Sequence, residues 1–115
     1  MYGNWIEKAK QNMVGAVTVH HQSHVGRVAD YPNMAADTGM ISVMTADSGR
    51  SAKQVVPFGG REARLGTNPI AIVMPSNLEG PVLMDMASST VALGKVALAR
   101  NRNESIPMGW IVDKD

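Results

Sequence analysis

Helix-type and strand-type patterns alternate along the first 45 residues, and this order is the strongest limit on what the chain can fold into. Apolar residues recur at helical spacing after Asn4, a capping residue, and Gly15 is suited to end that helix. The β-branched run at 16–19 predicts a short strand. A second helix is predicted over 29–38 and a second strand over 40–45. Such alternation is typical of a layered α/β fold.

The second half of the chain continues with two apolar runs and another helical pattern. Residues 70–74 and 82–86 predict two strands, joined through a turn of the kind found in hairpins. A helix is then predicted, capped by one of the serines at 88–89 and running to about Arg100. Residues 110–112 favour the opening of another strand.

Composition excludes several classes of function. The chain has 115 residues, of which 44% are hydrophobic and 18% charged, as in ordinary globular proteins. A formal net charge of +1 gives no general attraction to nucleic acid or to an anionic membrane. The absence of cysteine excludes disulfides and thiolate metal sites. Because the sequence also shows no signal peptide and no membrane-length apolar run, we expect a cytoplasmic protein.

His24 is the main candidate for proton transfer, because imidazole titrates near neutral pH. It lies in a polar loop after a predicted strand and shortly before Gly26, where backbone can approach a ligand closely. On spacing alone, a surface histidine or one bonded to a nearby carbonyl is the commoner outcome. His20 and His21 do not complete a zinc motif with it, so no metal site is expected. Hydrogen bonding of His21 to a substrate is an alternative.

The segment 57–69 is the most unusual in the chain, since it combines glycines with two arginines, Arg61 and Arg64. Exposed backbone N–H groups and forked guanidinium groups are typical of phosphate binding. The spacing matches neither the dinucleotide-binding glycine motif nor the Walker motif. The alternative is a structural loop in which the arginines pair with Glu62 or with solvent.

The run from Asp85 to Ser89 lies where a predicted strand gives way to a predicted helix. A helix N-terminus attracts anions, and a carboxylate at the end of a strand can accept a hydrogen bond from a ribose hydroxyl. Capping of the following helix by Asp85 or Ser88 is the commoner role for such residues. The residues alone leave both interpretations open.

The order of these pieces resembles the malate/L-lactate dehydrogenase family, which is distinct from the Rossmann lactate dehydrogenases and includes ureidoglycolate, sulfolactate and hydroxycarboxylate dehydrogenases. The resemblance runs from Trp5 to Asp113, and its most specific part is the sequence PFGGRE followed by LGTNP. The other matching runs are SHVGR at 23–27, SGRSAK at 48–53, DMASS at 85–89 and GK at 94–95.

The resemblance implies an α/β fold with a mixed β-sheet and helices on both faces, in a homodimer that shares its cofactor sites. It also implies that residues 1–115 form one partial domain, the central cofactor-binding portion of a longer enzyme whose N- and C-terminal regions are absent here. The implied cofactor is NAD or NADP, and the implied substrate is a small 2-hydroxy or 2-oxo acid. The alternative is a non-catalytic, truncated module that binds nucleotide weakly or not at all.

The same resemblance assigns roles to individual residues. His24 would be the catalytic residue, donating and accepting the proton that accompanies hydride transfer. The residues expected to contact the cofactor are Val25, Gly26, Arg27, Ser48, Thr67, Asn68, Asp85, Met86 and Ala87. Basic residues that can receive a 2′-phosphate, or equally serve as surface charges, are Arg50, Lys53, Arg61 and Arg64. The sequence departs from the family before and after the histidine, at 20–22 and at Val25, positions that can tune the substrate pocket.

Overall fold

The computed structural model describes residues 4–47 and 53–112, and there it shows three helices and one three-stranded sheet. The elements in chain order are α1 (Asn4–Asn12), α2 (Asp30–Ala36), β1 (Ser42–Thr45), β2 (Pro69–Met74), β3 (Val82–Ala87) and α3 (Leu93–Asn101). Helices are thus combined with a sheet, as the sequence patterns predict. Within the described ranges, no helix has the length and apolar character needed to cross a membrane.

The sheet has the order β1-β2-β3, and both strand pairs are antiparallel. The central strand β2 is apolar along its whole length, as expected for a strand covered on both faces. The predicted hairpin turn joins β2 to β3. In that turn the Ser76 hydroxyl accepts a hydrogen bond from the Leu78 N–H at 3.1 Å and donates one to the Gly80 carbonyl at 2.6 Å. These local bonds favour the reversal of the chain and set the register of the hairpin.

Helix α2 packs against one face of the sheet, where small side chains allow a close approach. Val28 and Ala29, which directly precede the helix, form a buried cluster with Ala71 on β2. Val25 and Met44 pack against this cluster. The helix follows its predicted position, and its C-terminal turn closes at a glycine with a φ of 82°. The core therefore lies between α2 and the sheet, next to the loop that carries the candidate histidine.

Val73→Ala is expected to lower the free energy of unfolding of the chain by about 2 kcal/mol, because it removes buried methyl groups and leaves a cavity. Val73 lies on the face of β2 toward α2 and is fully buried. Val82→Ala is the matched control, because Val82 on β3 is 48% exposed. Urea unfolding of the purified chain measures both losses, and equal losses would contradict this position of the core.

The predicted strand at 16–19 is wrong, because these residues pair with no described strand. The run has the β-branched composition of a strand, but propensity supplies no partner, and Val17 and Val19 are exposed. Helix α1 ends at Asn12, earlier than predicted, and Gly15 has another role. A Cβ at Gly15 would lie 2.3 Å from the Trp5 carbonyl oxygen, so only glycine lets the chain pass this close to the helix.

Two predictions in the second half are also wrong. Helix α3 begins at Leu93 rather than near Ser88 or Ser89, and the residue before it has no side-chain cap bond. The Ser88 hydroxyl donates a hydrogen bond to Asn68 instead of capping a helix. Residues 110–112 form a bend and an irregular stretch rather than a strand, because no described strand lies beside them.

Candidate active site at the start of helix α2

The three histidines in the loop between α1 and α2 differ in their contacts. His24 is exposed, and its side chain has no hydrogen bond or ion pair within the described residues. His20 and His21 contact each other edge-on, with ring centroids 4.7 Å apart. Across residues 4–47 and 53–112, no three metal-binding side chains lie together. The imidazole of His24 is therefore accessible to a ligand that approaches from solvent.

The backbone that follows His24 is held by two contacts. The side chain of Val25 packs against the buried cluster under α2. The carbonyl oxygen of Val25 accepts a hydrogen bond from the Tyr31 hydroxyl at 3.2 Å. Gly26 then takes a left-handed conformation, with a φ of 76° and open space around it. The histidine is thus attached to the core through its C-terminal neighbour, while Gly26 leaves backbone exposed beside it.

Asp85 connects this loop to the sheet. Its Oδ2 accepts a hydrogen bond at 2.9 Å from the N–H of Ala29, a fully buried residue 56 positions away in the chain. The first N–H groups of a helix have no intrahelical acceptor, and a carboxylate satisfies them strongly. Asp85 therefore caps α2, not the helix that follows it in sequence. Its other carboxylate oxygen has no hydrogen-bond partner among the described residues.

A second set of contacts gathers the loops at the same end of the sheet, where β1 and β3 end and β2 begins. Asp47 Oδ1 accepts a hydrogen bond from the Gly66 N–H at 3.1 Å, and Asp47 Oδ2 pairs with Lys53 at 3.0 Å. Asn68 donates from Nδ2 to the Gly66 carbonyl at 2.8 Å, and its Oδ1 accepts a hydrogen bond from the Ser88 hydroxyl. These bonds bring segments 66–68 and 87–88 together beside Asp47.

The structure brings most of the predicted cofactor residues to this end of the sheet. Asp85 and Ala87 point toward α2, whereas Met86 points to the opposite face, because neighbouring strand residues alternate. Met86 can therefore share a ligand with Asp85 only through its backbone. Thr67 is exposed beside Asn68. Ser48 and Arg50 lie outside the described residues.

Two of the basic residues considered for phosphate binding, Lys53 and Arg64, are engaged in ion pairs. Arg64 pairs with Glu62 inside the exposed loop 57–64. An isolated antiparallel β-bridge between Val55 and Leu65 joins the two ends of this loop. The ion pair is the structural pairing that the sequence left open as an alternative. Arg27, which was expected to contact the cofactor, pairs with Asp30 at 3.0 Å. The loop thus contains an internal ion pair, which engages Arg64 but not Arg61.

Sequence reasoning missed two residues that shape the site. Tyr31 holds the loop of His24 through a hydroxyl bond, and nothing in its sequence position signals this role. Asp47 is a carboxylate at the end of β1, the same kind of position that drew attention to Asp85. Applying that argument to every strand end would have identified Asp47.

Comparison with known proteins gives one consistent result. The sequence profile described as malate/L-lactate dehydrogenase matches residues 2–115. A malate dehydrogenase of Pyrococcus abyssi is 42% identical over 108 residues, covering 94% of this chain and 29% of that protein. A malate/(S)-sulfolactate dehydrogenase of Methanothermus fervidus is 44% identical over 110 residues, covering 96% of this chain and 31% of that protein.

Comparison with solved structures gives the same result as the sequence comparisons. The crystal structure of malate dehydrogenase from Entamoeba histolytica superposes with a TM-score of 0.82 at 30% identity, covering 95% of this chain and 29% of that chain. The expected α/β fold class is therefore confirmed. The chain spans less than a third of the length of these relatives. A match over nearly all of its residues, in both sequence and fold, shows that the chain belongs to the malate/L-lactate dehydrogenase family.

Proposed function

We propose that this chain is the central part of a nicotinamide-dependent dehydrogenase that acts on 2-hydroxy acids. The complete enzyme would transfer a hydride between NAD or NADP and the C2 carbon of a 2-hydroxy or 2-oxo acid. Family membership supports the class of reaction. The observation that carries the proposal is the link from the loop of His24, through Ala29, to Asp85 at the end of β3. This link joins the proposed proton-transfer residue to the proposed cofactor residues.

In this proposal His24 is the general acid–base. It takes the hydroxyl proton when the substrate is oxidised and returns it when the 2-oxo acid is reduced. Its ring is accessible and has no competing partner among the described residues. The backbone after it is attached to the core through Val25, which limits movement of the loop. A positioned acid–base contributes most when such a constraint holds it near the reacting atom.

The residues at the end of the sheet fit a nicotinamide dinucleotide. The exposed backbone at Gly26 allows close approach, and the second oxygen of Asp85 can accept a hydrogen bond from a hydroxyl. Backbone around Arg27, Met86 and Ala87 would complete the contact, with Thr67 and Asn68 beside it. When bound, the cofactor supplies the hydride chemistry. The chain supplies binding groups and the proton.

A chimera tests this proposal directly. In the Pyrococcus abyssi malate dehydrogenase, the matched 108 residues are replaced by the corresponding residues of this chain. We expect the chimera to oxidise NADH or NADPH in the presence of at least one 2-oxo acid from a panel, measured by loss of the absorbance of the reduced nicotinamide. A chimera that is folded by circular dichroism but transfers no hydride would contradict the proposal.

The second candidate function applies to the isolated chain, without flanking regions. Its large exposed apolar surface favours a non-catalytic module. The same assay on the purified 115-residue chain separates the two. Consumption of NADH by the chain would show that it needs no further regions. We further propose a homodimeric complete enzyme in the cytoplasm, in line with the cysteine-free composition.

A further inference from the structure

We propose that Asn68 is a positioning residue, which acts on the cofactor through its neighbours rather than by a contact of its own side chain. That side chain links the start of β2 to the end of β3, and so holds Thr67 and the segment 85–87 in place. The inference rests on the proposed function, which assigns cofactor contacts to Thr67 and to the segment 85–87. The family resemblance alone implies a direct contact for Asn68.

Both ends of the Asn68 amide are engaged within the chain. The Gly66 carbonyl oxygen accepts a hydrogen bond from Nδ2 at 2.8 Å. Because a carbonyl can only accept, the amide nitrogen must face Gly66, and Oδ1 therefore faces Ser88. The Ser88 hydroxyl donates to that oxygen. A cofactor contact by the Asn68 side chain would have to share groups that already have partners.

The bond between Asn68 and Ser88 extends the pairing of β2 and β3 by one position. The strand register pairs Pro69 with Ala87, so Asn68 and Ser88 occupy the positions of the next pair. Proline has no N–H to donate to a neighbouring strand. The side chain of Asn68 therefore links the two strands beside a residue that lacks a backbone donor, directly after the segment 85–87.

The backbone conformation of Asn68 explains why its side chain needs these partners. Its φ is 39°, in the left-handed region, which asparagine tolerates better than most residues other than glycine. The next residue is proline, which normally restricts the residue before it to extended conformations. A strained conformation of this kind persists only where the surrounding structure holds it. The bonds to Gly66 and Ser88 hold Asn68 in this conformation.

Thr67 is held from both sides as a result. Gly66 is buried, and its N–H donates to Asp47 Oδ1 at 3.1 Å while its carbonyl accepts from Asn68. Both polar groups of the residue before Thr67 are thus engaged, and the residue after it is linked to Ser88. Thr67 itself is exposed. The arrangement presents Thr67 to a ligand, with Asn68 as its support.

A double-mutant cycle in the chimera tests this role. The variants are Asn68→Gly, Ser88→Ala and the two combined, and the Kd for NADH is measured by fluorescence titration. Glycine adopts the left-handed backbone readily, so Asn68→Gly removes the side-chain bonds without adding strain. We expect Ser88→Ala to raise the Kd about fivefold, the effect of one lost hydrogen bond, and Asn68→Gly to raise it at least as much. The double variant should lose no more than Asn68→Gly alone, because both substitutions remove the same bond.

Asn103→Gly is the matched control for this cycle. Asn103 is also an asparagine with a left-handed backbone, at a φ of 53°, but it follows helix α3. Its replacement should leave the Kd within about twofold of the unsubstituted chimera.

Two results of the cycle would overturn the inference. One is an unchanged Kd in Ser88→Ala, as expected of a bond that serves stability alone. The other is losses that multiply in the double variant, as expected if Asn68 contacts the cofactor by itself. Failure of the proposed function is distinguishable, because it already appears in the unsubstituted chimera as an absence of hydride transfer.

A measurement without cofactor tests the link itself. In the isolated chain, Ser88→Ala should shift the NMR signals of the Asn68 side-chain amide, because its oxygen loses a donor. Unshifted signals would show that the link does not exist and would overturn the inference even if Asn68→Gly fails to fold.

Discussion

His24→Ala is expected to reduce turnover of the chimera by at least about a hundredfold, because a positioned general acid–base contributes about 10²–10⁴ in rate. Alanine removes the only group in the loop at 20–27 that the proposal assigns to proton transfer. Binding of the reduced cofactor should change little, since the proposed binding groups are Gly26, Asp85 and their neighbours. Steady-state kinetics with a 2-oxo acid measure the first effect, and fluorescence titration with NADH measures the second.

His20→Ala is the matched control for this prediction. His20 is in the same loop and equally exposed, but its ring contacts His21 rather than the candidate site. Its replacement should leave turnover within about twofold of the unsubstituted chimera. Near-normal turnover after His24→Ala, or equal losses in both variants, would remove His24 from the mechanism.

Asp85→Ala should have the second largest effect, and it should affect both stability and turnover. The buried N–H of Ala29 loses its acceptor, which costs about 1–3 kcal/mol of unfolding free energy. The start of α2 is then released from β3, and the loop that carries His24 loses its link to the sheet. We expect turnover of the chimera to fall by about tenfold or more, equivalent to about 1.4 kcal/mol in the activation barrier, because the link of the His24 loop and a proposed cofactor contact are both lost.

Asp85→Asn and Asp37→Ala separate these effects. Asparagine keeps an acceptor oxygen for Ala29, so it should restore most of the stability. Asp37 is an exposed carboxylate at the other end of α2, and its removal should change neither quantity by much. Hydrogen exchange at the Ala29 amide in the isolated chain reports the bond itself. Unchanged protection of that amide in Asp85→Ala would contradict the capping role.

Local sequence patterns predicted helix α2 and the hairpin of β2 and β3. Helix α2, at Asp30–Ala36, lies within the predicted range 29–38. The hairpin of β2 and β3 was found because two apolar runs flank a short polar turn. The hairpin turn is stabilised by bonds within a few positions, whereas α2 also depends on Asp85 and Ala71, which are distant in sequence.

The predictions that were wrong concern elements that depend on partners distant in sequence. Residues 16–19 have strand composition, but a strand requires a neighbour, and none of the described strands supplies one. The cap expected at Ser88 is absent because that hydroxyl donates to Asn68, which is distant in sequence. Composition cannot reveal such competition between a local cap and a long-range bond.

The candidate site was predicted from family resemblance more than from physical pattern. His24 and Asp85 are 61 positions apart, and no periodicity connects them. The link through Ala29 becomes visible only once α2 is placed against β2 and β3. The alternation of side chains along β3 also sets Met86 apart from Asp85, a distinction that a list of motif residues cannot contain.

The central claim is that the imidazole of His24 stands beside a bound nicotinamide cofactor. A crystal structure of the chimera with NADH and an unreactive analogue of a 2-oxo acid tests it most directly. We predict a ring nitrogen of His24 within about 3 Å of the oxygen on C2 of the analogue, and C4 of the nicotinamide about 3.5 Å from C2 itself. A cofactor bound away from Asp85, or a His24 ring turned to solvent with the analogue in place, would contradict the claim.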